Sequence, residues 1–254
     1  MKTILMPLPN TDFDPTESAV PWSILRANGH QVVFATPDGK QGQADQRMVH
    51  GTGLGALAPM LRADANGQAA YARMAGCSEF LKPISYAEIT GANFDGLILS
   101  GGHAPGMKPY LESSILQKVV GEFFLAAKPV GAICHGVVLA ARSKLPSGLS
   151  AGLSVLHGKK TTALTQQMEL SAWMLTRLWL KNYYRTYPVT VEAEVSAALA
   201  NIKDFINGPI SLTRDSPDNL AAGFTVQDGN YLSARWPGDA HRFATEFVAM
   251  LAKV

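Results

Sequence analysis

The stretch that decides the reading is KPVGAICHGVVLAARS, Lys128 to Ser143. Its segment KPVGAI, Lys128 to Ile133, reads as a buried strand. A cysteine and a histidine, Cys134 and His135, follow at once. A small-residue helix, HGVVLAARS, follows from His135. A strand that turns directly into a helix is the unit of a parallel sheet, and the rest of the chain is built on the same alternation.

Towards the amino terminus, KTILM reads as a strand, PTESAVPWSILRANG as a helix closed by Gly29, and QVVFAT as a second strand. FDGLILS is a further strand, and SSILQKVVGEFFLAA an amphipathic helix with apolar positions recurring at three and four. After Gly158 the helix signal runs through QQMELSAWMLTRLWL. GFTVQ and NYLSARW flank Asp228-Gly229, a hairpin signal, and a last helix runs from about Asp239 to Leu251. Continuous apolar strands between helices argue a sheet covered on both faces. The expectation is one α/β domain over residues 1–254, a flavodoxin-like sandwich with a mainly parallel central sheet. The polar, Gly-rich segment 37–90, with a helix near LAPMLRADANGQAAYARM, reads as an insertion after the second strand.

Composition sets the limits. The chain has 254 residues, 47% of them hydrophobic and 17% charged, enough for one buried core without a disulfide or metal staple. With 22 Lys and Arg against 20 Asp and Glu, the net charge is +2, which gives no argument for a nucleic-acid partner. The opening MKTILMPLPN is interrupted by Pro7 and Pro9 and reads as a first strand rather than a signal peptide. No apolar stretch reaches a membrane span. Cys77 and Cys134 are far apart and show no metal-ligand spacing, so a reducing cytoplasm, with no metal and no cofactor, is expected. GTGLG at Gly51 follows no strand and is a poor nucleotide loop.

In open α/β sheets, function collects at the carboxyl ends of strands, and Cys134 stands at one. AICHG has the form small-x-nucleophile-x-Gly, the cysteine counterpart of a nucleophile elbow, in which Ala132 and Gly136 leave room for the backbone to double back. The helix amino terminus is expected to favour the thiolate and lower its pKa. The competing reading is a buried core cysteine. His135 would point away from its neighbour in a regular strand, but at a strained elbow both face one pocket. Its alternative is a plain helix cap.

AICHG, the upstream LILSGGHAPG and the early Glu17 together resemble the ThiJ/PfpI superfamily of class I glutamine amidotransferase-like proteins. The branch that fits is the one with heat-shock chaperones and glutathione-independent glyoxalases (glyoxalase III), which carries adjacent Cys and His and an insertion after the second strand. The resemblance implies a small-molecule substrate, a homodimer, and an oxyanion hole built from the Gly102 and His135 amides. From the residues themselves, Gly101 lets the backbone approach a substrate closely, and His103 either lines that pocket or faces solvent. The resemblance also implies that Glu17 contacts the cysteine sulfur, where residues alone allow it to be the N3 position of a helix capped by Asp14. For the histidine's third partner, the resemblance places Glu169 of TTALTQQMEL, with Asp239 of ARWPGD as its rival. The Arg and Trp of that last segment depart from the family's Asn-Pro turn. YYRTY, Tyr183 to Tyr187, covers the pocket or is ordinary packing.

Three functions follow. The first is an enzyme whose Cys134 attacks a reactive carbonyl, converting methylglyoxal to lactate without glutathione. The second is an amide or peptide hydrolase, weakened for glutamine by the lack of a His-x-Glu, since Arg242 and Phe243 follow His241. The third is a stress chaperone or redox sensor with an exposed, oxidisable thiol.

Overall fold

The computed structural model describes residues 1–148 and 150–253, and a seven-stranded sheet runs through its centre. The strands are β1 (Thr3–Pro7), β2 (Gln31–Thr36), β3 (Ile84–Ser85), β4 (Gly96–Leu99), β5 (Val130–Ile133), β6 (Thr225–Asp228) and β7 (Tyr231–Ala234). They lie in the order β3-β2-β1-β4-β5-β7-β6, parallel throughout except for the closing hairpin of β6 and β7. Every residue of β4, β5 and β7 is buried, which is why these segments read as unbroken apolar runs instead of alternating ones.

Helices of five or more residues are α1 (Pro15–Ala27), α2 (Gln46–His50), α3 (Ala65–Ala75), α4 (Ser114–Leu125), α5 (Gly136–Arg142), α6 (Gln166–Leu180), α7 (Val191–Ala198) and α8 (Ala240–Leu251). Helices α1, α3 and α8 pack together over one face of the sheet, and α4, α5 and α7 over the other. The α1 start follows its sequence: the Asp14 carboxylate accepts from the Thr16 and Glu17 amides at 2.8 and 3.0 Å, and Pro15 opens the first turn.

Two expectations change in the segment 37–90. It returns to the sheet as β3, pairing Ala35 with Ile84 and Thr36 with Ser85, and Gln43–Ala44 pairs with Thr11–Phe13 beside the sheet. Two-residue strands carry no periodicity to read. The helix expected across residues 57–74 is broken, because Arg62 is extended and Asp64 caps a fresh start by accepting from Gly67 N at 2.8 Å. Among the described residues no helix is long and apolar enough to cross a membrane.

Candidate active site

The elbow forms where β5 runs out. Cys134 N still donates to Ala234 O of β7 at 3.0 Å, and Val137 N turns back to Cys134 O at 3.2 Å. Between them Cys134 takes φ +56°, the left-handed region that a non-glycine residue enters only under constraint. The turn fits because Gly136 has no side chain: a Cβ there would run into the Leu99 carbonyl oxygen of β4. The strained φ throws the Cys134 side chain and the His135 ring to the same side.

His135 Nδ1 lies 3.4 Å from the Cys134 sulfur, and its Nε2 lies 3.1 Å from the Thr186 hydroxyl. That hydroxyl has one proton and donates it to the His103 carbonyl at 2.6 Å. Towards His135 it can therefore only accept, so Nε2 carries the ring proton and Nδ1 presents a lone pair to the thiol. Burial pushes His135 down to about 3, with His103 and Arg142 adding to the effect. The ring is a neutral base aimed at sulfur.

Glu17, fully buried in the first turn of α1, does not cap its own helix. Both carboxyl oxygens lack a well-aligned hydrogen bond, and the polar groups bearing on them are the Cys134 thiol and the Gly101 amide. Gly101 allows the approach: a Cβ there would strike the Glu17 carboxyl and lie 2.8 Å from Cys134 Cβ. Burial, then the neighbouring Asp14, hold Glu17 well above the carboxylate range. Asp14 itself is raised to about 6 by burial.

Cys134 departs from expectation. The thiol is only 4% exposed, and burial, reinforced by Glu17 and Asp14, pushes it up rather than down; the His135 amide opposes this and does not prevail. Desolvation beats the helix terminus because the charge would sit in an apolar pocket beside two carboxyl groups. The site therefore holds its negative charge in common: a thiolate is least opposed when Glu17 keeps its proton.

Glu169 and Asp239, the two candidates for the third partner, bond to groups other than His135. Glu169 accepts from Val191 N at 2.8 Å at the start of α7 and pairs with Arg185 at 3.2 Å. Asp239 is enclosed by Arg235, which donates to it from Nε and Nη2, each at 2.9 Å, and by the Phe224 and Arg235 amides. The group on His135 Nε2 is Thr186, in the Tyr183–Tyr187 segment. Sequence reading missed it, since a threonine between aromatic residues has no spacing signature. Tyr184 of that segment stacks on His103 with ring centroids 4.3 Å apart, and Tyr183 meets the same ring edge-on at 4.9 Å.

Cys134, Glu17, Gly102, His103 and Glu169 all line one cavity of about 350 Å³, with Arg214 and Trp236 also in its wall. Gly102 takes φ +152°, and a Cβ there would lie 2.6 Å from Asp12 O. Gly101 stands behind it against Glu17 and Cys134. Among the described residues no group of three or more His, Cys, Asp or Glu is arranged to hold a metal ion, and both cysteines are free thiols.

Residues 8–209 match the model of a protein family described as ThiJ/PfpI family-like. The chain belongs to the ThiJ/PfpI-like family. Among curated ThiJ/PfpI-like relatives, a glutathione-independent glyoxalase of Schizosaccharomyces pombe is 24% identical over 95% of this chain and 90% of its own. A deglycase of Pyrococcus abyssi is 25% identical over 66% of this chain and 69% of its own. An uncharacterised S. pombe protein is 31% identical, but the match spans only 46% of this chain and 43% of that one. Of solved structures, glyoxalase III of Candida albicans superposes with a TM-score of 0.69 at 19% identity, over 98% of this chain and 97% of that one. Drosophila melanogaster DJ-1beta gives 0.57 at 17%, covering 99% and 96%. At these identities the structural likeness establishes the ThiJ/PfpI-like fold.

Proposed function

We propose that this protein is a cysteine-nucleophile enzyme acting on small reactive carbonyls, with glyoxalase III-like conversion of methylglyoxal to lactate as its reaction. The observation that carries the reading is a single sulfur with a base on one side and an acid on the other. His135 Nδ1 stands 3.4 Å from it, the Glu17 carboxyl, held well above the carboxylate range by burial, faces it, and the sulfur and Glu17 border one cavity. The names of the S. pombe and C. albicans relatives support it.

The chemistry follows from those groups. The Cys134 sulfur adds to the aldehyde carbon, its proton leaving through His135 Nδ1 and ending on the carbonyl oxygen. In the resulting hemithioacetal, His135 Nδ1 takes the proton from the former aldehyde carbon while Glu17 gives its own to the ketone oxygen. The enediol then returns its C1 hydroxyl proton to Glu17 and receives the carbon-bound proton from His135 on the adjacent carbon, giving a thioester of lactate. Water then cleaves the C–S bond, releasing lactate and the thiol. One water is consumed and no oxidant or reductant is needed. In this scheme the Gly102 and His135 amides would steady the oxygen at the sulfur-bearing carbon, His103 would border the substrate, and Gly101, expected there from sequence, instead makes room for Glu17.

A second reading, thioester-forming hydrolysis of an amide or a glycated adduct, uses the same sulfur. The deglycase named in P. abyssi and a cavity roomier than a three-carbon dicarbonyl requires favour it. The buried thiol argues against a redox sensor, which needs an accessible thiolate. Lactate formation from methylglyoxal without glutathione, wild type beside Cys134→Ala, tests the leading reading. Lactate from the wild type alone is expected; equal lactate from both proteins sinks it.

A further inference from the structure

The polar groups that line the cavity beyond the sulfur are unevenly matched. Among the described residues, Arg214 Nη1, Trp236 Nε1, Tyr184 Oη and His103 Nε2 are buried without a hydrogen-bond partner, and all four residues border the cavity. Buried polar atoms left unpaired in a cluster call for a ligand that pairs them. Arginine and tryptophan nitrogens only donate, and a tyrosine hydroxyl donates readily. The missing partner is therefore rich in acceptors.

Charge points the same way. Arg235, the other arginine bordering the cavity, is paired with Asp239. Arg214 is held by neutral groups instead. Its Nη2 donates to the Arg62 and Met60 carbonyls at 3.0 and 3.3 Å, and its guanidinium lies 5.3 Å from the Trp236 ring centroid. Asp14, whose carboxyl feels the Arg214 charge, is occupied in capping α1 and forms no ion pair with it. A planar guanidinium with one nitrogen unpaired, in a wall of mostly apolar surface, suits a carboxylate. That wall, which includes Leu61, Leu164, Met168, Leu175 and Leu212, suits a short carbon chain.

We propose that the substrate is a 2-oxoaldehyde bearing a carboxylate on a short carbon chain, its aldehyde at Cys134 and its carboxylate on Arg214, with Trp236 Nε1 and Tyr184 Oη beside it. This rests on the glyoxalase reading above and names its substrate class. With 4,5-dioxopentanoate the balance is that of methylglyoxal. Sulfur bonds to the aldehyde carbon, the proton on that carbon passes to its neighbour, and one water releases 2-hydroxyglutarate.

The test compares kcat/KM for 4,5-dioxopentanoate with that for uncharged 2-oxohexanal, and titrates the unreactive pentanoate by calorimetry. Wild type should favour the carboxylate on the order of tenfold or more, and should bind pentanoate. Arg214→Met should erase both the preference and the binding, and Arg214→Lys, which keeps the charge and guards against misfolding, should retain part of each. Equal use of both aldehydes by wild type, with product still dependent on Cys134, overturns the carboxylate site and leaves the glyoxalase reading standing. No product from either aldehyde, even with pentanoate bound through Arg214, overturns the reaction and the proposed substrate with it.

Discussion

At Cys134 a sulfur is flanked by two groups whose proton states are set by burial, and each makes a separate prediction. Glu17→Gln keeps a neutral hydrogen-bond donor beside the sulfur but cannot pass a proton. Turnover should drop about 10²- to 10⁴-fold, while alkylation of Cys134 by iodoacetamide continues at a similar rate. A parallel loss of alkylation would instead make Glu17 the group that activates the thiol. On the other side, Thr186 fixes the His135 tautomer by accepting from Nε2. Thr186→Val should lower kcat about 10²-fold with KM little changed, and Thr186→Ser should restore it. Unchanged kinetics in the valine variant would show that the tautomer is set elsewhere.

At the scale of elements, the elbow needs three neighbouring strands and a helix start to hold one strained residue. Glu169 belongs to this scale. By accepting from Val191 N and pairing with Arg185, it ties α6 to the start of α7 and to the segment that carries Thr186. Glu169→Ala leaves a buried amide and a guanidinium unmatched, which should cost about 1–3 kcal/mol in denaturant unfolding. Activity should fall through the displaced Thr186 segment. A variant that unfolds like wild type yet is inactive would place Glu169 directly in the chemistry. The same scale explains what could be read beforehand. β1, β2, β4, β5 and the β6–β7 hairpin were legible because buried parallel strands and an Asp-Gly turn leave local signatures, and so was the Cys134 elbow. β3 was not, because two residues carry no pattern. Thr186 was not, because its role depends on a loop folding back across the sheet, more than fifty positions' worth of chain that no local rule fixes. The direction of the thiol's pKa was misread because burial is a property of the assembled pocket.

Over the whole molecule, the buried histidines make stability depend on acid. Burial holds His103 down to about 4, with Asp45 and Arg47 as its charged neighbours, whereas an unfolded imidazole takes a proton near 6.5. Unfolding therefore binds a proton between these values. The stability this group contributes is complete above pH 6.5 and is lost as the pH falls towards 4. His103 is half-buried, so the effect is discounted: between pH 7 and pH 5 wild type should lose about 1 kcal/mol more than His103→Phe. Urea unfolding at the two pH values measures it, and identical losses would mean that the folded His103 takes up its proton near the ordinary value.

The central claim is that the Cys134 sulfur bonds to the substrate's aldehyde carbon. The most direct measurement is ¹³C NMR of the protein turning over methylglyoxal labelled at that carbon, in the absence of glutathione, with Cys134→Ala alongside. A sulfur-bound hemithioacetal carbon on wild type that gives way to labelled lactate, and neither signal with the variant, is the predicted result. Labelled lactate appearing from Cys134→Ala at the wild-type rate would contradict it.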